Sequence, residues 1–129
     1  MPDSHTLFFV CHDGDVACFE TRERLAAFVE VYDIDKGFEF FDAQAHPLTA
    51  SRVGRGVLVH NDRDGVAAPE RLSQLLSSYF QHLPEKYHAY SVRAAAAATL
   101  DELVSLFDEF DRRPAPRGTW NKTVARLRR

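Results

Sequence analysis

Apolar positions along this chain change period several times, and each change marks an element. "TLFFVCH" and "VACFE" are aromatic-rich apolar runs on either side of Asp13-Gly14, a strong two-residue hairpin signal. Thr21 can cap a helix over "RERLAAFVEVY", with Glu23 in its first turn. Leu25, Phe28, Val29 and Tyr32 recur at i, i+3, i+4 and i+7, and "DIDKG" ends the pattern with Gly37 as turn residue. "FEFFDAQAHPLTA" reads as strand, turn and strand around Ala43 to Pro47. "GVLVH" reads as a strand buried on both faces and stopped by "NDRDG". Pro69 opens a second helix, "PERLSQLLSSYFQHL", with a stripe of Leu72, Leu75, Leu76, Tyr79, Phe80 and Leu83. Pro84 stops it.

The stretch "YHAYSVRAAAAATLDELVSLFDEFDRR" sets two signals against each other. Five consecutive alanines have the highest helix propensity available. "TLDE", however, is a capping box that starts a helix at Leu100, after the alanines. On that ground Tyr87 to about Ala96 is expected to be a strand of small side chains lying under a helix. A helix continuous from Ala94 is the rival. The last helix covers Leu100 to Phe110 and presents Leu100, Leu103, Val104, Phe107 and Phe110 on one face. The order β-β-α-β-β-β-α-β-α suits neither a doubly wound parallel sheet nor a bundle. The fold class it predicts is α+β, with a mostly antiparallel sheet of five to six strands and about three helices packed on one face.

Composition narrows the class without naming a chemistry. A chain of 129 residues suits one domain that buries enough surface to need neither metal nor disulfide. No apolar run is long enough to span a bilayer, and "MPDSHTLFFV" lacks the basic start of a secretory signal. The expectation is a cytoplasmic protein with reduced cysteines. Charge is unevenly distributed. Residues 112–129 carry seven Lys or Arg and no acid, leaving nine basic and all nineteen acidic side chains before them, a balance of −10. The chain therefore divides into a single acidic domain, 1–111, and a basic tail, 112–129. The tail can be a solvated end, a segment folded back on the acidic body with Trp120 as anchor, or a contact for nucleic-acid phosphates.

Candidate chemistry starts at "VCHDGDVACF". Across an Asp13-Gly14 turn, Cys11 faces Val16 and Phe9 faces Cys18. The two cysteines are then diagonal neighbours on one sheet face, about 7–8 Å apart and too far for an unstrained disulfide. His12 points to the other face. Zinc would need further ligands, such as His60 or His88. Core packing is the favoured reading of both thiols. "DIDKGFEFFDAQ" and "HNDRDG" fail as calcium loops, the first because Phe38 and Gln44 stand where Gly and Glu belong. No nucleotide loop or nucleophile elbow occurs, and "RVGRG" is too short to cradle a phosphate. No cofactor is called for. Asp108, Glu109 and Asp111 read as the solvated side of the last helix.

From "LFFVCHDGDVACFETRERLAAFVEVYDI" through "GFEFFDAQAHPL", about residues 7–60, the chain resembles small bacterial immunity-type proteins encoded beside polymorphic toxins. The resemblance lies in a strand hairpin, an amphipathic helix and an aromatic-Asp-Ala-turn-Pro-Leu hairpin. Ala45 stands where such a turn often carries Gly. The family has no shared catalytic residues to carry over. The resemblance implies a stoichiometric inhibitor of a toxin, and the acidic body suits a basic protein partner. The candidate binding residues are the acids of the two exposed loops, Asp33, Asp35, Asp62 and Asp64, with Tyr32 as aromatic anchor. Two readings from other classes stand beside it: a small enzyme using Cys11, His12 and His60, and a nucleic-acid accessory protein acting through the tail.

Overall fold

The computed structural model describes residues 7–29, 36–61 and 65–113. The chain is an α+β protein, and its described residues form a five-stranded antiparallel sheet and four α-helices. Strands β1 (Phe8–His12) and β2 (Asp15–Phe19) form the first hairpin. Cys11 pairs with Val16 and Phe9 with Cys18, the register the two-residue turn dictates. Asp13 and Gly14 both have positive φ, +50° and +84°, as that tight turn requires. Helix α1 (Arg22–Phe28) starts at Thr21, whose hydroxyl accepts from the Arg24 N–H at 3.0 Å. It ends earlier than its stripe predicts, because Val29 is already extended.

Strands β3 (Glu39–Asp42), β4 (Pro47–Val53) and β5 (Gly56–Asn61) complete the sheet in the order β2-β1-β3-β4-β5. The turn between β3 and β4 is built on Asp42, whose carboxylate accepts from the N–H groups of Gln44 and His46. Ala45 takes a left-handed φ of +67° there and is fully buried. A residue with a side chain thus holds the left-handed position of this turn. Ala45 also donates its N–H to the Asp42 carbonyl and accepts from the Ala68 N–H at 2.9 Å, tying the turn to the start of α2.

Helix α2 (Pro69–Gln81) runs as its stripe predicts, with Leu72, Leu76, Tyr79 and Phe80 buried. The alanine run overturns the strand expectation. After a single 3₁₀ turn at Glu85–Tyr87, α3 (His88–Ala96) is a helix, so propensity prevails over the small-residue-strand reading. The capping box still acts. Helix α4 (Leu100–Arg112) begins at Thr99, whose hydroxyl accepts from the Glu102 N–H, while the Glu102 carboxylate accepts from the Ala98 N–H. The two signals belong to two helices with a break between them, at Ala97 and Ala98. Ala94 alone of the run is buried; Ala95 and Ala96 are exposed.

The sheet separates two apolar clusters. Phe9, Cys11, Val16, Cys18 and Phe41 pack under α2, α3 and α4. Val10, Ala17, Phe40, Leu48, Ala50 and Val59 pack with Leu25 and Phe28 of α1, and with Val29 just after it, on the opposite face. Three helices thus cover one face and α1 the other. The first cluster is built on rings: Phe9 meets Phe107 edge-on at 5.7 Å, and Tyr79, Phe80, Tyr87 and Tyr90 surround Phe110.

Candidate functional site

Strand β4 outruns its neighbour. Among the described residues, Pro47 and Leu48 of β4 pair with β3, and from Thr49 to Val53 its partner is β5. Residues 49–60 therefore form a two-stranded arm, closed by Gly54-Arg55, with a positive φ of +60° at Gly54. One face of the arm, with Ala50, Val57 and Val59, is backed by α1. Among the described residues no helix covers the other face, with Thr49, Ser51, Val53, Leu58 and His60, and Leu58 is 54% and Val53 58% exposed. The two-sided burial expected of "GVLVH" fails here, since Val59 is the one buried residue of β5. An apolar run does not say whether anything covers it.

A groove of about 780 Å³ opens between α1 and β5. Its floor is small and apolar, with Ala26, Ala27, Val57 and Val59, and Arg22, Glu23 and Arg55 stand at its rim. Arg22 donates to the Asn61 side chain and lies over the Phe8 ring. On the bare arm face the Ser51 hydroxyl donates to His60 Nε2 at 3.0 Å, because the His60 Nδ1–H donates to the Asn61 carbonyl. This pair stands on an open strand surface rather than in a cleft, and it knits the two strands of the arm.

All five candidate binding residues, Tyr32, Asp33, Asp35, Asp62 and Asp64, lie outside the described residues. Their flanks are placed. Val29, before the first loop, borders Arg55 and Gly56 at the arm's tip, and the Lys36 carbonyl after it accepts from His12 Nε2 at 3.0 Å. Asn61, before the second loop, pairs with Leu48 at the opposite end of the sheet. The two acidic stretches are therefore attached at opposite ends.

The Cys/His set is not brought together. Cys11 is buried among the α2–α4 rings, and His12 turns to the other face, stacked on Phe38 at 4.1 Å. His60 is three strands away, about 14 Å along the sheet at ordinary strand spacing. Burial pushes the Cys11 thiol up to about 12, the charge of Glu39 adds to this, and Arg71 opposes it. A thiol held protonated at neutral pH is no nucleophile. The Cys18 thiol donates to Asp111 at 3.5 Å. Among the described residues, no three His, Cys, Asp or Glu side chains are grouped to hold a metal ion.

Charge pairing was largely hidden from the sequence. Glu39 takes a two-pronged bond from Arg71, and Glu109 takes one from Arg93 sixteen residues away. Arg112 is shared between Asp108 at 2.7 Å and Glu20 at 3.5 Å. Asp108 and Glu109 are thus paired rather than freely solvated. The tail's first two cations are engaged as well: Arg113 lies over the rings of Tyr87 and Phe110, at 4.1 and 4.2 Å, and donates to the Tyr87 hydroxyl. Residues 114–129 lie outside the described residues. Among the described residues, no helix is long and apolar enough to cross a membrane.

No protein family matches this chain, and no curated protein and no solved structure matches it either.

Proposed function

We propose that this chain is a non-catalytic cytoplasmic binding protein of the bacterial immunity type, which holds a basic protein partner such as a toxin through its acidic loops. The observation that carries this reading is the charge division, −10 over residues 1–111 and +7 over residues 112–129. Pairing strengthens it. Arg71, Arg93 and Arg112 are each bonded to carboxylates of the body, so these cations are not available to cancel the acids of the loops. Complementary charge speeds encounter and rejects wrong partners. Asp33 and Asp35, with Tyr32, are one candidate contact, and Asp62 and Asp64 are a second.

The test is capture of a basic protein by the full-length chain after nucleic acid has been digested away. Reversing charge in one loop at a time, Asp33→Lys with Asp35→Lys or Asp62→Lys with Asp64→Lys, should slow association and flatten its salt dependence for the loop that carries contact. If no protein is retained, while intact RNA or DNA binds and removing residues 114–129 abolishes that binding, the tail is the functional element and this reading is wrong.

A further inference from the structure

We propose that the groove between α1 and β5 binds a short extended segment of a protein partner, apolar in its middle and acidic at both ends. The proposal goes beyond the basic partner above and does not rest on it. Its first support is a contrast in how arginines are paired. Arg71, Arg93 and Arg112, on α2, α3 and α4, are each bonded to carboxylates. On the α1 side, Arg22, Arg52 and Arg55 make no ion pair with a described residue, in a body of net charge −10. Arg22 donates to the neutral amide oxygen of Asn61 at one end of β5, and Arg55 stands at the other end. Arg52 shares their side of the sheet, opposite Val57. Glu23 also stands on the rim, and the three arginines outweigh it. The groove is thus a cationic site on an anionic protein, and it selects an anionic ligand.

The second support is the floor. Ala26 and Ala27 of α1 and Val57 and Val59 of β5 are small and apolar, and they lie between the two cationic ends. The groove follows β5 from Arg55 to Val59, about 13 Å at the rise of a strand. The third support says that the ligand is a chain. β5 is the edge of the sheet, with β4 as its described neighbour. The two-residue loop Gly54-Arg55 makes Val53 and Gly56 a hydrogen-bonded pair, and bonding alternates along antiparallel strands. Val57 therefore directs its N–H and C=O away from β4. No described group bonds them, and Val57 is half-buried. An extended segment laid beside β5 satisfies both groups, while its alternate side chains reach the floor. Val59 is already buried, so this ladder is one residue long and the arginines supply much of the selectivity.

The probe is the hexapeptide acetyl-Glu-Val-Ala-Val-Ala-Glu-amide, with a version ending in Lys at both sides as control. Titrated into the full chain at low salt, it should shift the methyl resonances of Ala26, Ala27 and Val57 to saturation, with a dissociation constant between about 10 µM and about 1 mM. Added salt should weaken it. The Lys-ended peptide should leave those resonances in place. Arg55→Glu should raise the dissociation constant at least about tenfold. Ala27→Phe, which fills the groove, should abolish binding. Both positions are exposed, so the spectrum of the folded chain should otherwise persist.

Absence of saturable shifts up to about 5 mM peptide would overturn the proposal. So would binding that survives both substitutions, or a Lys-ended peptide that moves the same methyls as readily. If a soluble paramagnetic probe cannot reach the Ala27 and Val57 methyls of the free chain, the chain fills its own groove and the proposal fails. If dodecanoate moves these methyls at lower concentration than the peptide and displaces it, the groove takes a small apolar acid and the peptide assignment is wrong.

Discussion

The two ends of one sheet face receive opposite treatment. Where β1 and β2 pass under α2, α3 and α4, Phe9 and Cys11 are fully buried and ring meets ring at 5.2 to 6.1 Å. Where β4 and β5 leave the helices behind, Leu58 and Val53 point the same way into solvent. Val53 and Leu58 are as apolar as the strand residues under the helices, so for these two residue type does not make the difference. The cover does: the three helices reach the β2 end of the sheet and not the β5 end. An apolar strand residue gains about 25 cal/mol per Å² only when something lies over it.

Substitutions measure that contrast directly. Phe107→Ala, in the centre of the ring cluster, should lose about 3–5 kcal/mol in denaturant unfolding, with a lower midpoint and little change in slope. Leu58→Ala should stay within about 0.5 kcal/mol. Comparable losses at both positions would mean that the arm face is covered in solution.

Alkaline pH offers a second measure. The unfolded Cys11 thiol ionises near its ordinary value of 9.0, whereas burial holds the folded one protonated up to about 12. Between those values the folded state binds more protons, so its stability falls as pH rises, by up to about 1.4 kcal/mol per pH unit from this group. Below 9 the effect is absent. Unfolding of Cys11→Ala compared with the unsubstituted chain from pH 8.5 to 11 should show a shallower decline in the variant. Parallel declines would mean that Cys11 is not sealed under the helices.

The smallest effect concerns the alanine run. A strand tucked under a helix would be overpacked by Ala95→Leu at a cost of about 1–3 kcal/mol. On α3, where Ala95 is exposed, the change should be within about 0.5 kcal/mol. Thermal unfolding of that one variant separates the two packings.

These cases also show what the sequence discloses and why. Local chemistry was readable: Asp13-Gly14 set the hairpin register, and Thr99 with Glu102 marked the start of α4 to the residue. The α2 stripe named the buried residues because a helix with one apolar side has one place to put it. Non-local cover was not readable. "GVLVH" has the same pattern whether helices extend over it or stop short. The Arg93–Glu109 and Arg71–Glu39 pairs join residues whose proximity only the packed fold creates. Two apolar faces on β1, with Phe8 and Val10 alternating with Phe9 and Cys11, are the sequence's sign of layers on both sides. For the candidate site, the sequence could nominate acidic residues but not that their flanks, Val29 and Asn61, lie at opposite ends of the sheet, which depends on α1 running back along β5 from Asn61 to Arg55.

The separation of the two apolar clusters also sets an order of events during synthesis. Every residue of the α1-side cluster lies between Val10 and Val59, whereas the other side needs residues as late as Phe110. On a ribosome that delivers the chain N-terminus first, one face of the sheet can close when half the protein has emerged. Its reverse, with Phe9, Cys11 and Phe41, then waits unclad for α4. A nascent chain halted near residue 70 would therefore be a half-finished sheet with one greasy side. Apolar surface exposed at such a stage is what makes a partly made chain prone to aggregate.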